Sequence, residues 1–91
     1  MEGSPLDGLI GQQVVLDTAG PMVFIGRLEQ ITPEGFWLSR ADVHDRQDGH
    51  ASKELYVLEA KLHGVRANRR RVFVMRSDVV SISLLDDVVV D

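Results

Sequence analysis

Through the first half of the chain, apolar and polar residues alternate in short runs bounded by glycine and proline, the two-residue period of half-buried strands. Val14 and Leu16 share one face of a strand over 12–17. Thr18-Ala19-Gly20-Pro21 breaks that run, with Gly20 expected to supply a positive φ and Pro21 unable to continue a ladder. A long strand follows over 22–31, and the glycine in its middle, Gly26, marks a sharp bend or a close backbone approach. Thr32-Pro33-Glu34-Gly35 places proline and then glycine as a tight β-turn prefers. In a third strand over 36–43, Phe36 and Leu38 face one way, Trp37 and Ser39 the other.

From His44 to Ala51 the chain is polar and reads as a loop. The period then changes. Leu55, Leu58, Leu62 and Val65 recur at helical spacing, Ser52 is placed to cap the start, and Gly64 to cap the end. The pattern predicts a helix of about three turns with this leucine row buried. Strand alternation returns over 71–75, Arg76-Ser77-Asp78 is a short connection, and Val80, Ile82 and Leu84 form the inward face of a last strand. Residues 86–91 are a tail that extends that strand. At the other end, Leu6, Leu9 and Ile10 after Ser4-Pro5 predict a helix of about two turns, stopped by Gly11. The order is helix, three strands, helix, two strands, in a single domain over 1–91.

With 91 residues and 44% apolar content, the core is thin. There is no cysteine, so disulfides, thiolate metal sites and cysteine nucleophiles are absent. A small domain without such staples gains stability by burying surface against copies of itself. The first residues lack a basic start and apolar run, so no signal peptide is expected, and no apolar stretch approaches the roughly 20 residues that span a bilayer. A cytoplasmic setting is the expectation. The net charge of −4 disfavours wholesale attraction to a phosphate backbone. Its distribution matters more: Lys61, Arg66, Arg69, Arg70, Arg71 and Arg76 fall in one stretch without an acidic residue.

Two segments bring in a known family. Over 14–42, Gly20, Phe24, Gly26, Leu28, Phe36-Trp37-Leu38 and Ala41 stand in positions similar to the first Sm motif. Val74-Met75-Arg76-Ser77-Asp78-Val79-Val80-Ser81-Ile82 is similar to the second. The chain thus resembles the Sm-like (LSm) family, as a divergent, bacterial-type member with a helical insertion, about residues 44–70, between strands 3 and 4. The resemblance implies a mainly β fold: a small, strongly bent, five-stranded antiparallel barrel with an N-terminal helix. It also implies an RNA site. Departures from the pattern bear on that site. Thr32 stands where the family carries an aspartate and Gly35 where it carries a base-reading asparagine, in a turn one residue short. Arg76 and Asp78 are kept, but Ser77 replaces the glycine between them.

Other candidates have plainer readings beside the functional ones. His44, Asp45, Asp48 and His50 are possible metal ligands, yet without cysteine and within one loop a solvated loop fits better, and no metal or cofactor is expected. Arg69-Arg70-Arg71 can clamp phosphate or simply blunt a strand edge with charge. Trp37 can stack a base, pack beneath the inserted helix, or meet a neighbouring subunit. No nucleophile–base motif or phosphate loop is present, so no enzyme is expected. Two function classes follow. In the first, subunits close a homo-oligomeric ring by pairing the fourth strand of one copy with the fifth of the next. Phe36, Arg76 and Asp78 then line the pore, Arg69, Arg70 and Arg71 the strand entrance, and single-stranded RNA is held weakly and mainly electrostatically. In the second, the ring is a structural or protein-interaction module that has lost RNA, with a protein partner on the inserted helix.

Overall fold

The computed structural model describes residues 5–45 and 52–90. Five antiparallel strands form one sheet: β1 (Gln13–Thr18), β2 (Met22–Ile31), β3 (Gly35–Asp45), β4 (Arg69–Met75) and β5 (Val79–Leu84). Their order across the sheet is β4-β3-β2-β1-β5, so β4 and β5, neighbours in the chain, are its two opposite edges. One helix, α1 (Lys53–His63), lies between β3 and β4. This is the mainly β, five-stranded antiparallel arrangement that the resemblance implies, with the strands in the places the periodicity predicts.

β2 and β3 approach each other tightly at Gly26. A Cβ placed on Gly26 would sit 3.0 Å from both Cα and Cβ of Ala41, so a side chain there would force the two strands apart. Beside this contact β3 carries an extra residue relative to β2, since Arg27 pairs with Ser39 but Ile25 with Asp42. Arg40 takes up the surplus in a left-handed conformation, φ 49°. The bulge resets the alternation, so Phe36 and Leu38 before it and Ala41 after it all point inward. With Val14, Leu16, Leu28 and Val74 they make the buried core of the barrel.

A second apolar layer lies on the outside of the sheet. Val15, Val23 and Ile25 are covered there by Ala60 of α1 and by Leu85, with Tyr56, Val57, Val65 and Val88 packed around them. The helix starts and stops where its caps predict. Ser52 Oγ accepts from the Leu55 N–H at 3.1 Å, and Gly64, at φ 89°, donates its N–H to the Ala60 carbonyl at 2.9 Å. Its rotation is not as expected. Leu55 and Leu62 are 48% and 54% exposed and Leu58 is half-buried, whereas the side turned to the barrel carries Lys53, Tyr56, Val57 and Ala60. Polar anchors set this rotation: Lys53 Nζ meets Asp17 Oδ1 at 2.7 Å and the Thr18 carbonyl at 2.9 Å, while Tyr56 stacks on His44 at 3.9 Å.

Five smaller expectations also fail. The N-terminal segment is a single 3-10 turn, Asp7–Leu9, because so short a run offers too few bonds to repay helix nucleation. Gly20 is not in the positive-φ region; its turn is held instead by Thr18 Oγ1 donating to the Met22 carbonyl at 2.7 Å. His44 and Asp45 belong to β3, so the described part of the expected loop is strand. Val80 is 64% exposed, since β5 gains a residue against β1: Asp17 pairs with Ser81 and Thr18 with Val79, which leaves Val80 bulged outward and gives its inward place to Val79. After β5 a further 3-10 turn, Leu85–Asp87, ends the ladder in place of a strand extension.

Candidate nucleic-acid interface

The turn between β2 and β3 and the turn between β4 and β5 meet at one end of the barrel. Thr32 organises the first. Its N–H donates to the Gly35 carbonyl at 2.8 Å, and its hydroxyl accepts from the N–H groups of Glu34 and Gly35 at 3.2 and 3.1 Å. The hydroxyl thus does the turn-closing work that an aspartate side chain does elsewhere. Gly35 follows from packing. A Cβ on it would lie 2.1 Å from the Val74 carbonyl oxygen and 2.9 Å from the Phe73 ring, so no side chain, asparagine included, fits while β3 and β4 keep this spacing.

The second turn, Arg76–Asp78, is tied to the first through Arg76. Its backbone N–H donates to the Glu34 carbonyl at 2.8 Å, one guanidinium nitrogen donates to the Thr32 carbonyl at 3.2 Å, and the guanidinium carbon stands 5.3 Å from the centre of the Phe36 ring. Phe36 is only 4% exposed, so it is a floor under Arg76 and presents no open face to a base. Asp78 is exposed, and its carbonyl accepts from the Ala19 N–H at 3.2 Å. The structure therefore joins Arg76 to Phe36 and leaves the Asp78 side chain facing solvent.

The three consecutive arginines lie elsewhere. Arg69 and Arg70 begin β4 and are exposed, roughly 20 Å from Arg76 at the usual strand rise. They line a cleft of about 390 Å³ with Arg40, Ala67 and Asn68. Asn68 holds the entrance to the strand: its N–H donates to the Ala41 carbonyl, and its side-chain amide both accepts from and donates to the backbone of Val43, at 3.0 Å each way. Arg71 is separate again. It projects from the outer face, 4.3 Å above the Trp37 ring, and Trp37 packs in turn against Phe73 at 5.0 Å. Trp37 is thus not beneath α1. Among the described residues, none of Arg69, Arg70, Arg71 and Arg76 forms an ion pair with a carboxylate.

Sequence reasoning did not find the Trp37–Phe73–Arg71 group or the part of Arg40. The first needed the β3–β4 register that sets Trp37 opposite Phe73, and the second needed the bulge. Of the proposed metal ligands, Asp48 and His50 lie outside the described residues, and His44 is stacked on Tyr56. Among the described residues no group of three or more potential ligands comes together. His44 Nε2 and the Tyr56 hydroxyl are buried without a well-formed hydrogen bond. Burial, together with the Asp42 carboxylate, pushes the Tyr56 phenol above its ordinary pKa.

No protein-family model matches the chain, and no curated protein matches it significantly. Solved structures do. An Sm protein of Pyrococcus abyssii, in complex with a uridine heptamer, superposes with a TM-score of 0.60 at 17% identity, over 90% of this chain and 99% of that one. A chain of the NatC complex bound to CoA superposes with a TM-score of 0.58 at 16% identity, over 92% of this chain and 88% of that one. The strand order and these superpositions agree: the chain has the Sm-like fold.

Proposed function

We propose that this chain is a bacterial-type Sm-like subunit of a closed homo-oligomeric ring that holds single-stranded RNA weakly, by its phosphates rather than its bases. One juxtaposition carries the reading: Arg76 stands at the meeting of the two turns, while the neighbouring position that would read a base, Gly35, has no room for a side chain. Phosphate contacts position a strand without reading it. The Sm protein with a uridine heptamer shows that a chain of this fold can hold RNA. The two sheet edges, β4 and β5, support the ring reading. Gly35 turns its N–H and C=O towards Thr32, so by alternation Phe36 bonds Val74, and Arg71, Phe73 and Met75 turn theirs outward from the sheet. An unpaired edge of this kind invites another strand. We assign the protein no catalysis.

A scaffold that has lost RNA is the second reading. It is favoured by the net charge of −4 and by the engagement of the Arg76 guanidinium with Thr32 and Phe36. A salt titration of oligouridine binding separates the two. The log–log slope should be shallow and linear, and Arg76→Ala should flatten it by about 0.7 for each phosphate that is no longer neutralised, weakening all sequences alike. No binding at low salt selects the scaffold; sequence-selective binding that survives Arg76→Ala refutes the site. For the ring, Met75→Pro is the clean probe. Met75 already sits at φ −67°, which proline adopts, so the barrel should stay folded while the outward edge loses a donor. Light scattering should then show smaller assemblies at equal concentration.

A further inference from the structure

Between α1 and the C-terminal segment runs an open groove of about 460 Å³. Val57 and Leu58 form one wall, Val88 and Val89 the other, and Val15 and Val23 the floor. Its volume falls in the range, about 300–1,000 Å³, that accommodates a bound group. The groove opens beside β5, whose outward Ser81 and Ser83 line it. Among the described residues that edge has no partner strand in the sheet. Any strand added there, at the usual spacing of about 4.8 Å, would bring its own outward side chains to the groove mouth.

The other free edge of the same chain carries a matching surface. The outer face of β4 presents Arg71 and Phe73, with Trp37 of β3 packed against Phe73. The two edges also differ in charge. Arg69, Arg70 and Arg71 stand on β4 without an acidic neighbour in the strand, while Glu54 lines the groove and Asp86 and Asp87 follow β5. Lys53 and Asp17 also line the groove but neutralise each other as an ion pair, which leaves Glu54 as the net charge of its lining. A basic aromatic edge and this groove thus complement each other head to tail.

We infer that the groove is the seat for a second copy of this chain: the Trp37–Phe73 pair of one subunit enters the α1–β5 groove of the next, with Arg71 beside Glu54. This rests on the ring reading and adds a role for the helix, which becomes a clamp over the seam between subunits. The rotation that the polar anchors give α1 leaves Val57 and Leu58 lining the groove.

Trp37 is the single tryptophan, so its emission reports the seat directly. In a dilution series the emission should shift to shorter wavelength as the protein assembles. Val89→Asp, at a position 75% exposed in the monomer, should abolish that shift and weaken assembly roughly tenfold or more. Because the chain has no cysteine, Leu58→Cys with Met75→Cys gives a second readout. A short thiol crosslinker should join copies into ladders, and neither single variant should give more than dimers. Assembly without ladders and with an unshifted Trp37 overturns the groove but leaves the ring. A crosslink within one copy overturns it as well. A monomer at every concentration overturns the ring and the groove together.

Discussion

Inside the barrel, Val14, Leu16, Leu28 and Leu38 are wholly withdrawn from solvent, and four of the five strands contribute fully buried apolar side chains to that core. On the outside, α1 covers Val15, Val23 and Ile25 with Ala60 alone fully buried in return, while Leu55 and Leu62 stay in water. The two layers are held by different forces. The inner one relies on apolar burial from several directions at once. The outer one relies on a few directed contacts: the Lys53–Asp17 pair, the Tyr56–His44 stack and the helix caps. A layer fixed in that way can be present, correctly placed and still leave much of its apolar surface for a partner.

Truncating each layer at a comparable site should expose the contrast most strongly. Leu38→Ala leaves a cavity in a region with no solvent access and should cost about 2–5 kcal/mol in chemical denaturation. Val57→Ala, at a half-buried position over the outer layer, should cost clearly less. A smaller effect tests whether α1 can loosen by itself. Ser52→Ala removes the cap that accepts from Leu55 and should cost the helix about 1 kcal/mol. Hydrogen exchange should then quicken in residues 53–63 while the β2 and β3 amides keep their protection. Equal acceleration everywhere would mean that the two layers unfold as one unit.

The smallest expected effect concerns pH. Tyr56 holds its proton more tightly in the folded protein than in the unfolded chain, where the phenol ionises near pH 10. Its contribution to stability is therefore full below about pH 10 and is lost as the pH rises beyond it. Tyr56→Phe should flatten the alkaline fall in thermal stability. Tyr56 is the only tyrosine, so the ultraviolet absorbance of tyrosinate in the native protein reads its ionisation without interference. Ionisation near pH 10 before unfolding would show that α1 does not shield the ring.

These contrasts explain how far the sequence could be read. Features decided within a few residues were legible: Ser52 and Gly64 as caps, the bounds of β2, and the Thr32–Gly35 turn. Features decided across the fold were not. The helix rotates about Lys53, whose partner Asp17 lies 36 residues away, so the leucine row alone pointed to the wrong face. Val80 was misplaced by one extra residue in β5, which leaves no trace in a pattern of alternation. At the candidate site, Arg76 and Phe36 came from a motif and proved to be in contact. Arg71 and Trp37 came together only through strand pairing, and Arg40 through a bulge.

The crowding at Gly35 limits the paths by which this protein can change. Most positions can be altered one substitution at a time and tested by selection at each step. This one cannot, because any side chain at 35 meets the Val74 carbonyl before it can reach a ligand. A base-reading side chain would first require an extra residue in the turn to move the backbone away from β4. That insertion would break the Thr32 hydrogen bonds and the Arg76–Glu34 link before any gain in recognition. The glycine therefore acts as an evolutionary ratchet, and descendants of this chain should acquire sequence preference on some other surface.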